Sequence, residues 1–254
     1  MMPAEAAKSE HIVGAAPAGA GDQSAASQAV REMFTAIAPR YDLLNHVLSC
    51  NVDRLWWWRT ARTFKHILQQ PEARVLDLCC GTGDMTLALL RQGEVLQSPI
   101  IGADFSHAML QRAAKKTLAK NIRLIEADAL QLPLPDERFD LVVSAFGFRN
   151  LANYDAGLQE ILRVLKPGGE IGILDFGEPK GLLGKIYRVY FRRVLPFIGS
   201  MISGVRGPYA YLPASVERFP EPEEMLKRMR AAGFRDAVWK PYSFGIAGLF
   251  RAKK

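Results

Sequence analysis

The chain has 254 residues, 49% of them hydrophobic and 23% charged, which excludes a fibrous or wholly disordered protein and fits one sizeable globular domain. Thirty-three basic side chains against 26 acidic ones give a net charge of +7, a balance that bears on partners such as anionic membranes or nucleic acid rather than on fold. The three cysteines, Cys50, Cys79 and Cys80, match neither a disulfide framework nor a zinc spacing, so no metal site and a reducing, cytoplasmic setting are expected.

Residues 1–28 are rich in Ala, Gly, Ser, Gln and Pro and set Lys8 against Glu5, Glu10 and Asp22. Such a stretch buries too little apolar surface to offset its ordering entropy, and it reads as a disordered tail ahead of one domain at 29–254. There is no basic-then-apolar pattern of a signal peptide. Residues 29–70 read as a helical lid, because Phe34, Ile37, Tyr41 and Leu44 recur at steps of three and four, with Pro39 as a kink or restart. The run Leu55-Trp56-Trp57-Trp58 inside it is read as core or lid packing in preference to ligand stacking.

From Arg74 the pattern changes. Arg74–Leu78, Pro99–Asp104, Arg123–Ala127, Phe139–Ala145 and Glu170–Asp175 are short, nearly continuous apolar runs, and helical stretches at Asp84–Arg91, His107–Lys116 and Asp155–Leu165 fall between them. Lys166-Pro167-Gly168-Gly169 stops the last of these helices. Leu182–Leu195 reads as a further helix, and Asp236–Pro241 and Ser243–Arg251 as terminal strands. Alternating strands and helices with fully apolar strands predict an α/β fold: a Rossmann-like, seven-stranded, mostly parallel sheet with helices on both faces.

The first strand runs into Asp77-Leu78-Cys79-Cys80-Gly81-Thr82-Gly83-Asp84. Gly81 and Gly83 allow a tight turn and close approach of a ligand at the carboxyl edge of the sheet. A dinucleotide fingerprint needs a third glycine where this chain has Thr86. Asp77 and Asp84 flank the loop, and two carboxylates repel a pyrophosphate that a bare helix N-terminus would hold. A nucleoside with a positive centre and no phosphate fits better, and S-adenosylmethionine is the expected cofactor. Asp104, 21 residues after Gly83 and at the end of strand two, is placed to accept bonds from both ribose hydroxyls. Asp128-Ala129, after strand three, can meet the adenine amino group. For either aspartate a solvated loop residue or a helix cap is the structural alternative.

This loop looks like the first motif of class I methyltransferases. With the segments Phe34–Asn45, Phe146-Gly147-Phe148-Arg149-Asn150 and Arg163–Gly169, the chain from about Glu32 onward resembles the ubiquinone/menaquinone biosynthesis C-methyltransferase family. The resemblance implies methyl transfer to a ring carbon of a polyprenyl hydroquinone, a demethylmenaquinol first and the ubiquinone precursor second. It implies cofactor contacts at Thr82, Asp104, Asp128 and Ala129. Cys79 and Cys80 depart from the glycine or alanine usual in the loop, and Ala145 replaces a serine contact found in some members.

A hydroquinone carbon becomes nucleophilic when its phenol loses a proton, so the enzyme must assist deprotonation and align carbon with methyl. Arg149 and Asn150 follow strand four at the carboxyl edge. Arg149 would stabilise phenolate or orient a water, with an ion pair holding the loop as its structural alternative. Asn150 would fix that water or the ring hydroxyl. Tyr41 could bond the quinol oxygen and Asp42 could accept the proton; His46 is a further base candidate.

A lipid acceptor brings the protein to a bilayer. Residues 181–206 hold Lys185, Arg188, Arg192, Arg193 and Arg206 and no acid. A helix at 182–195 would set a basic face opposite Tyr187, Tyr190 and Phe191, suited to peripheral contact at the inner face of the membrane or equally to ordinary solvation. A homodimer is an open expectation and a nucleic-acid partner is not expected, because no Asn/Asp-Pro-Pro-Tyr-type segment is present. A methyltransferase of another acceptor and a non-catalytic assembly protein that binds S-adenosylmethionine are the competing readings.

Overall fold

The structure, a computed structural model, describes residues 12–17, 19–42, 49, 51–179, 181, 184 and 207–254. The helix expected at 182–195 and the base candidate His46 lie outside the described residues.

A seven-stranded sheet forms the centre, in the order β3-β2-β1-β4-β5-β7-β6. Its strands are β1 (Val75–Leu78), β2 (Ile100–Asp104), β3 (Ile122–Glu126), β4 (Phe139–Ala145), β5 (Leu165–Phe176), β6 (Arg235–Tyr242) and β7 (Ala247–Lys253). β1 to β5 pair in parallel, and β7 runs antiparallel to both β5 and β6. The mostly parallel sheet follows from the apolar strand runs: all four residues of β1 are buried, and a strand buried on both faces needs helices over each.

Alternate side chains along the strands divide the core in two. Leu76, Leu78, Val142, Ile171 and Ile173 pack with α6 (Tyr154–Val164) and α8 (Pro222–Ala232). Val75, Leu141, Val143 and Leu174 pack with α2 (Val52–Thr63), α3 (Lys65–Leu68) and α4 (Asp84–Gln92). Trp56, Phe64 and Leu68 are buried in this second core, so α2 and α3 are sheet-covering helices rather than part of a lid. Trp56 is core, as the packing alternative had it, while Trp58 points outward.

Three differences from the sequence reading have plain causes. Lys166–Gly169 do not separate helix from strand; β5 starts at Leu165, directly after α6. The helices α7 (Gly207–Arg218) and α8 complete the fold in a stretch that the apolar periodicity left unassigned. The third concerns the tail expected over 1–28. α1 (Gln23–Ile37) begins inside it, capped by the Asp22 carboxylate on the Ala25 N–H at 2.8 Å. Ahead of α1, the Gly14 and Ala15 N–H groups donate to the Ala152 and Leu151 carbonyls at 3.0 and 2.8 Å. Tertiary hydrogen bonds supply what composition lacks.

Candidate active site

The carboxyl edge of β1, β2 and β4 opens into a cavity of about 680 Å³, its open mouth included. The loop after β1 forms its floor. Cys79, Gly81 and Gly83 take left-handed backbone, with φ of 56°, 54° and 87°. The left-handed Cys79 is a strained position for a residue with a Cβ, as is Phe146 (φ 58°) at the end of β4. The two loops cross closely: a Cβ on Gly147 would lie 2.3 Å from the Cys79 Cβ, so only glycine fits there.

Asp104, at the end of β2, lines the cavity and is 6% exposed. The Gly81 N–H donates to its Oδ2 at 2.8 Å and the Ser106 N–H to its Oδ1 at 2.9 Å. Burial pushes the carboxyl up to about 6, and these two donors hold it from rising further. Ser106 stands at the N-cap position of α5 (His107–Thr117), with its hydroxyl 3.3 Å from that of Thr35. Asp128 and Ala129 line the same cavity, with Leu130 N–H on Asp128 Oδ1 at 2.9 Å. Phe105, Met109 and Leu130 give the wall between these carboxylates an apolar surface.

Other expected residues sit elsewhere. Asp77 is fully buried beneath the loop and accepts from the Thr86 hydroxyl at 2.5 Å. Burial pushes its carboxyl up to about 7. Thr82 is buried too, and its hydroxyl donates to Asp42 at 2.5 Å. The Lys116 ammonium then joins Asp42 (2.7 Å), Asp84 (3.0 Å) and Thr82 (3.0 Å). The repulsion expected from Asp77 and Asp84 is therefore not what the cavity presents. Lys116 offsets Asp84, and Asp77 does not face the cavity; the carboxylates that line it are Asp104 and Asp128. Asp42 is held by Thr82 and Lys116 outside the cavity lining, which ties the helical turn at Tyr41 and Asp42 to the loop.

Arg149 also lies outside the lining. Its Nη1 donates to Asp175 at 2.9 Å and to the Phe146 carbonyl, its backbone N–H meets the same carboxylate at 3.1 Å, and its guanidinium lies over the Phe176 ring. It is the loop-holding ion pair that stood as its structural alternative. Asn150 does line the cavity. Its Nδ2 donates to the Phe146 carbonyl at 3.4 Å and its Oδ1 accepts from the Tyr211 hydroxyl at 3.2 Å, which fixes the amide's orientation. Tyr41 lines the opposite wall, edge-on to Phe34.

The sequence reading missed Ser27 and Phe34 as lining groups and Lys116 as the centre of the network. Ser27 fell within the expected tail. Lys116 shares no motif with its partners, since its position across the loop is set by how α5 packs on β2 and β3.

The site residues fit S-adenosylmethionine by their chemistry. Asp104 has carboxylate lone pairs left after its two backbone donors, Gly81 leaves open space beside the loop, and the wall between Asp104 and Asp128 is apolar.

Comparison with known proteins agrees with this architecture. The ubiE/COQ5 methyltransferase family matches residues 22–254. The chain is 49% identical to a demethylmenaquinone methyltransferase of Deinococcus radiodurans, over 92% of this chain and 96% of that one. It is 48% identical to a demethylmenaquinone methyltransferase of Thermus thermophilus, over 85% and 97%. A ubiquinone/menaquinone biosynthesis C-methyltransferase of Geobacter sulfurreducens is 44% identical, over 89% and 88%. Among solved structures, a SAM-dependent methyltransferase from Thermotoga maritima superposes with a TM-score of 0.62 at 20% identity, over 89% and 99% of the two chains. The [4+2]-cyclase SpnF does so with 0.65 at 21%, over 94% and 98%. A cyclase among the fold neighbours shows that the fold alone does not name the reaction. Sequence identity along nearly the whole length does narrow it: this chain belongs to the ubiE/COQ5 methyltransferase family.

Proposed function

We propose that this protein transfers the methyl group of S-adenosylmethionine to a ring carbon of a polyprenyl hydroquinone, with demethylmenaquinol as the acceptor. The observation that carries the reading is the identity of nearly half the residues, over almost the full length, with two demethylmenaquinone methyltransferases. The cavity is consistent with it. When bound, the cofactor supplies an electrophilic methyl on a positively charged sulfur.

The chain's own groups divide the work. Asp104 would accept hydrogen bonds from the ribose hydroxyls and Asp128 from the adenine amino group, with Ala129 and Leu130 offering apolar surface to the base. Gly81 and Gly83 give the loop its turn, and Thr82, tied to Asp42 and Lys116, holds that loop in place. Asp77 braces it from below through Thr86. Asn150, its amide fixed by Tyr211 and the Phe146 carbonyl, orients the ring hydroxyl or the water that takes its proton. Burial pushes the Tyr211 phenol up to about 12, so it stays protonated and keeps donating to Asn150. Tyr41 bonds the quinol oxygen from the other wall. Loss of the phenolic proton would send charge to the ortho carbon; that carbon would bond the methyl as the methyl–sulfur bond breaks and the sulfur leaves as a neutral thioether, and loss of the carbon's own proton would restore the ring. Arg149 and Asp175 position Asn150 from behind and do not touch the acceptor.

Among the described residues no helix is long and apolar enough to cross a membrane, and the reading places the protein peripherally at the membrane that holds its acceptor. The Geobacter relative bears both quinone names, which makes the benzoquinol the second acceptor. Incubation with methyl-labelled cofactor and each reduced quinol, followed by counting of the lipid fraction, tests the proposal. Label in demethylmenaquinol is the expected result. Absence of label from both quinols, with cofactor binding shown by calorimetry, overturns it.

A further inference from the structure

One surface, on α2 and the turn before β7, combines exposed apolar side chains with arginines. On α2, Arg54, Leu55, Trp58 and Arg62 are all exposed and share the outward face at 100° per residue. The helix's acid, Asp53, is buried. On the inward face, the Trp56 Nε1 donates to the Ser243 hydroxyl at 2.8 Å, which sets the turn Ser243–Gly245 beside α2. Phe244 at this turn is 85% exposed. It also takes left-handed backbone, with φ of 59°. A bulky aromatic in that conformation costs free energy, and a ring left in solvent gains little burial to offset it. On the other side, Arg54, Trp57 and Trp58 face Arg91 of α4 across a groove. Asp84 at the end of that groove is engaged by Lys116, and Glu178 near the turn has a partner of its own.

This surface connects with the cavity. Phe146 lines the cavity. Its ring lies 4.6 Å from that of Phe176 and 5.8 Å from that of Trp56, and Trp56 holds the Phe244 turn. Aromatic rings thus run from the cavity to the exposed face.

We propose that this face docks on an anionic lipid bilayer. Leu55, Trp58 and Phe244 enter the headgroup region, Arg54, Arg62 and Arg91 meet lipid phosphates, and the aromatic run brings the cavity to the membrane side, where a prenyl tail continues into lipid. Charge complementarity selects this partner: apolar and Trp side chains interleaved with arginines suit an interface of anionic headgroups over hydrocarbon. The proposal rests on the quinol reading for its purpose but not for its test.

The full chain is sedimented with phosphatidylcholine vesicles, with and without phosphatidylglycerol. Binding is expected only with the anionic lipid and should fall with added salt. The variant Arg54→Gln/Arg62→Gln/Arg91→Gln should bind about a hundredfold more weakly, at about 1 kcal/mol for each arginine. Leu55→Ser/Trp58→Ser/Phe244→Asn should also release the vesicles. Asparagine suits the left-handed position, and a melting temperature within about 4 °C of the parent confirms that the fold is kept. Both variants should methylate a water-soluble, single-prenyl quinol at the parental rate and lose rate only on long-chain quinol in vesicles. A parent that ignores anionic vesicles, variants that bind like the parent, or variants that differ only in self-association, which would mark a contact with a second copy, each overturn the proposal. If no quinol is methylated while the variants still lose vesicle binding, the functional reading fails and the docking face stands.

Discussion

At the scale of single residues, burial decides what each carboxylate does. Asp77 and Asp104 both titrate above the ordinary range because burial disfavours their charge, and Asp104 alone lines the cavity. For Asp77 the folded value, about 7, lies above the ordinary aspartate value of 3.8. The folded state therefore favours the protonated form. The stability that this contributes is complete below about 3.8 and is lost as pH rises through 7. Asp77→Asn keeps the neutral shape at every pH. It should melt at least about 2–4 °C higher than the parent at pH 8 and near the parent at pH 4, in thermal scans across that range. Asp104→Ala removes an acceptor for two backbone N–H groups and, in the proposed reading, for the ribose. Cofactor affinity should drop about a hundredfold or more by calorimetry. Arg149→Ala leaves Asp175 as a buried, unpaired charge and should cost about 3–5 kcal/mol in chemical unfolding. An unchanged unfolding midpoint would mean that the pair does not hold the loop.

At the scale of elements, the N-terminal segment closes one side of the site. α1 supplies Ser27 and Phe34 to the lining, and the irregular stretch before it bonds to Leu151 and Ala152, which line the cavity as well. A Cβ on Gly14 would lie 2.0 Å from the Leu151 carbonyl oxygen, inside any allowed contact. Gly14→Val should therefore detach this stretch without unfolding the sheet. The expected signature is loss of hydrogen-exchange protection at residues 14 and 15 and a several-fold higher KM for the quinol. Protection equal to the parent would show that the contact tolerates a side chain.

At the scale of the whole molecule, β7 is inserted between β5 and β6 and carries Leu249, Phe250 and Ala252 into both cores. Ending the chain after residue 245 would expose the edge of β5 and strip β6 of its neighbour. No cooperative melt should remain, and a retained sharp transition in calorimetry would contradict the sheet order.

Local pattern alone carried the strands, the helices α4, α5 and α6 between them and the loop with Asp104 and Asp128, because apolar runs, period-3.6 burial and turn glycines are written along the chain. The same pattern left α7 and α8 unassigned, and composition mistook the stretch from residue 12 into the start of α1 for a tail, since Leu151 and Ala152, the partners of Gly14 and Ala15, lie far away in sequence. The loop–carboxylate constellation was legible because its members sit at the ends of successive strands. What only the tertiary structure decided was the employment of each charge. Arg149 turned to Asp175, Asp42 to Thr82 and Lys116, and Asp77 beneath the loop, because burial and pairing depend on neighbours that no spacing along the chain encodes.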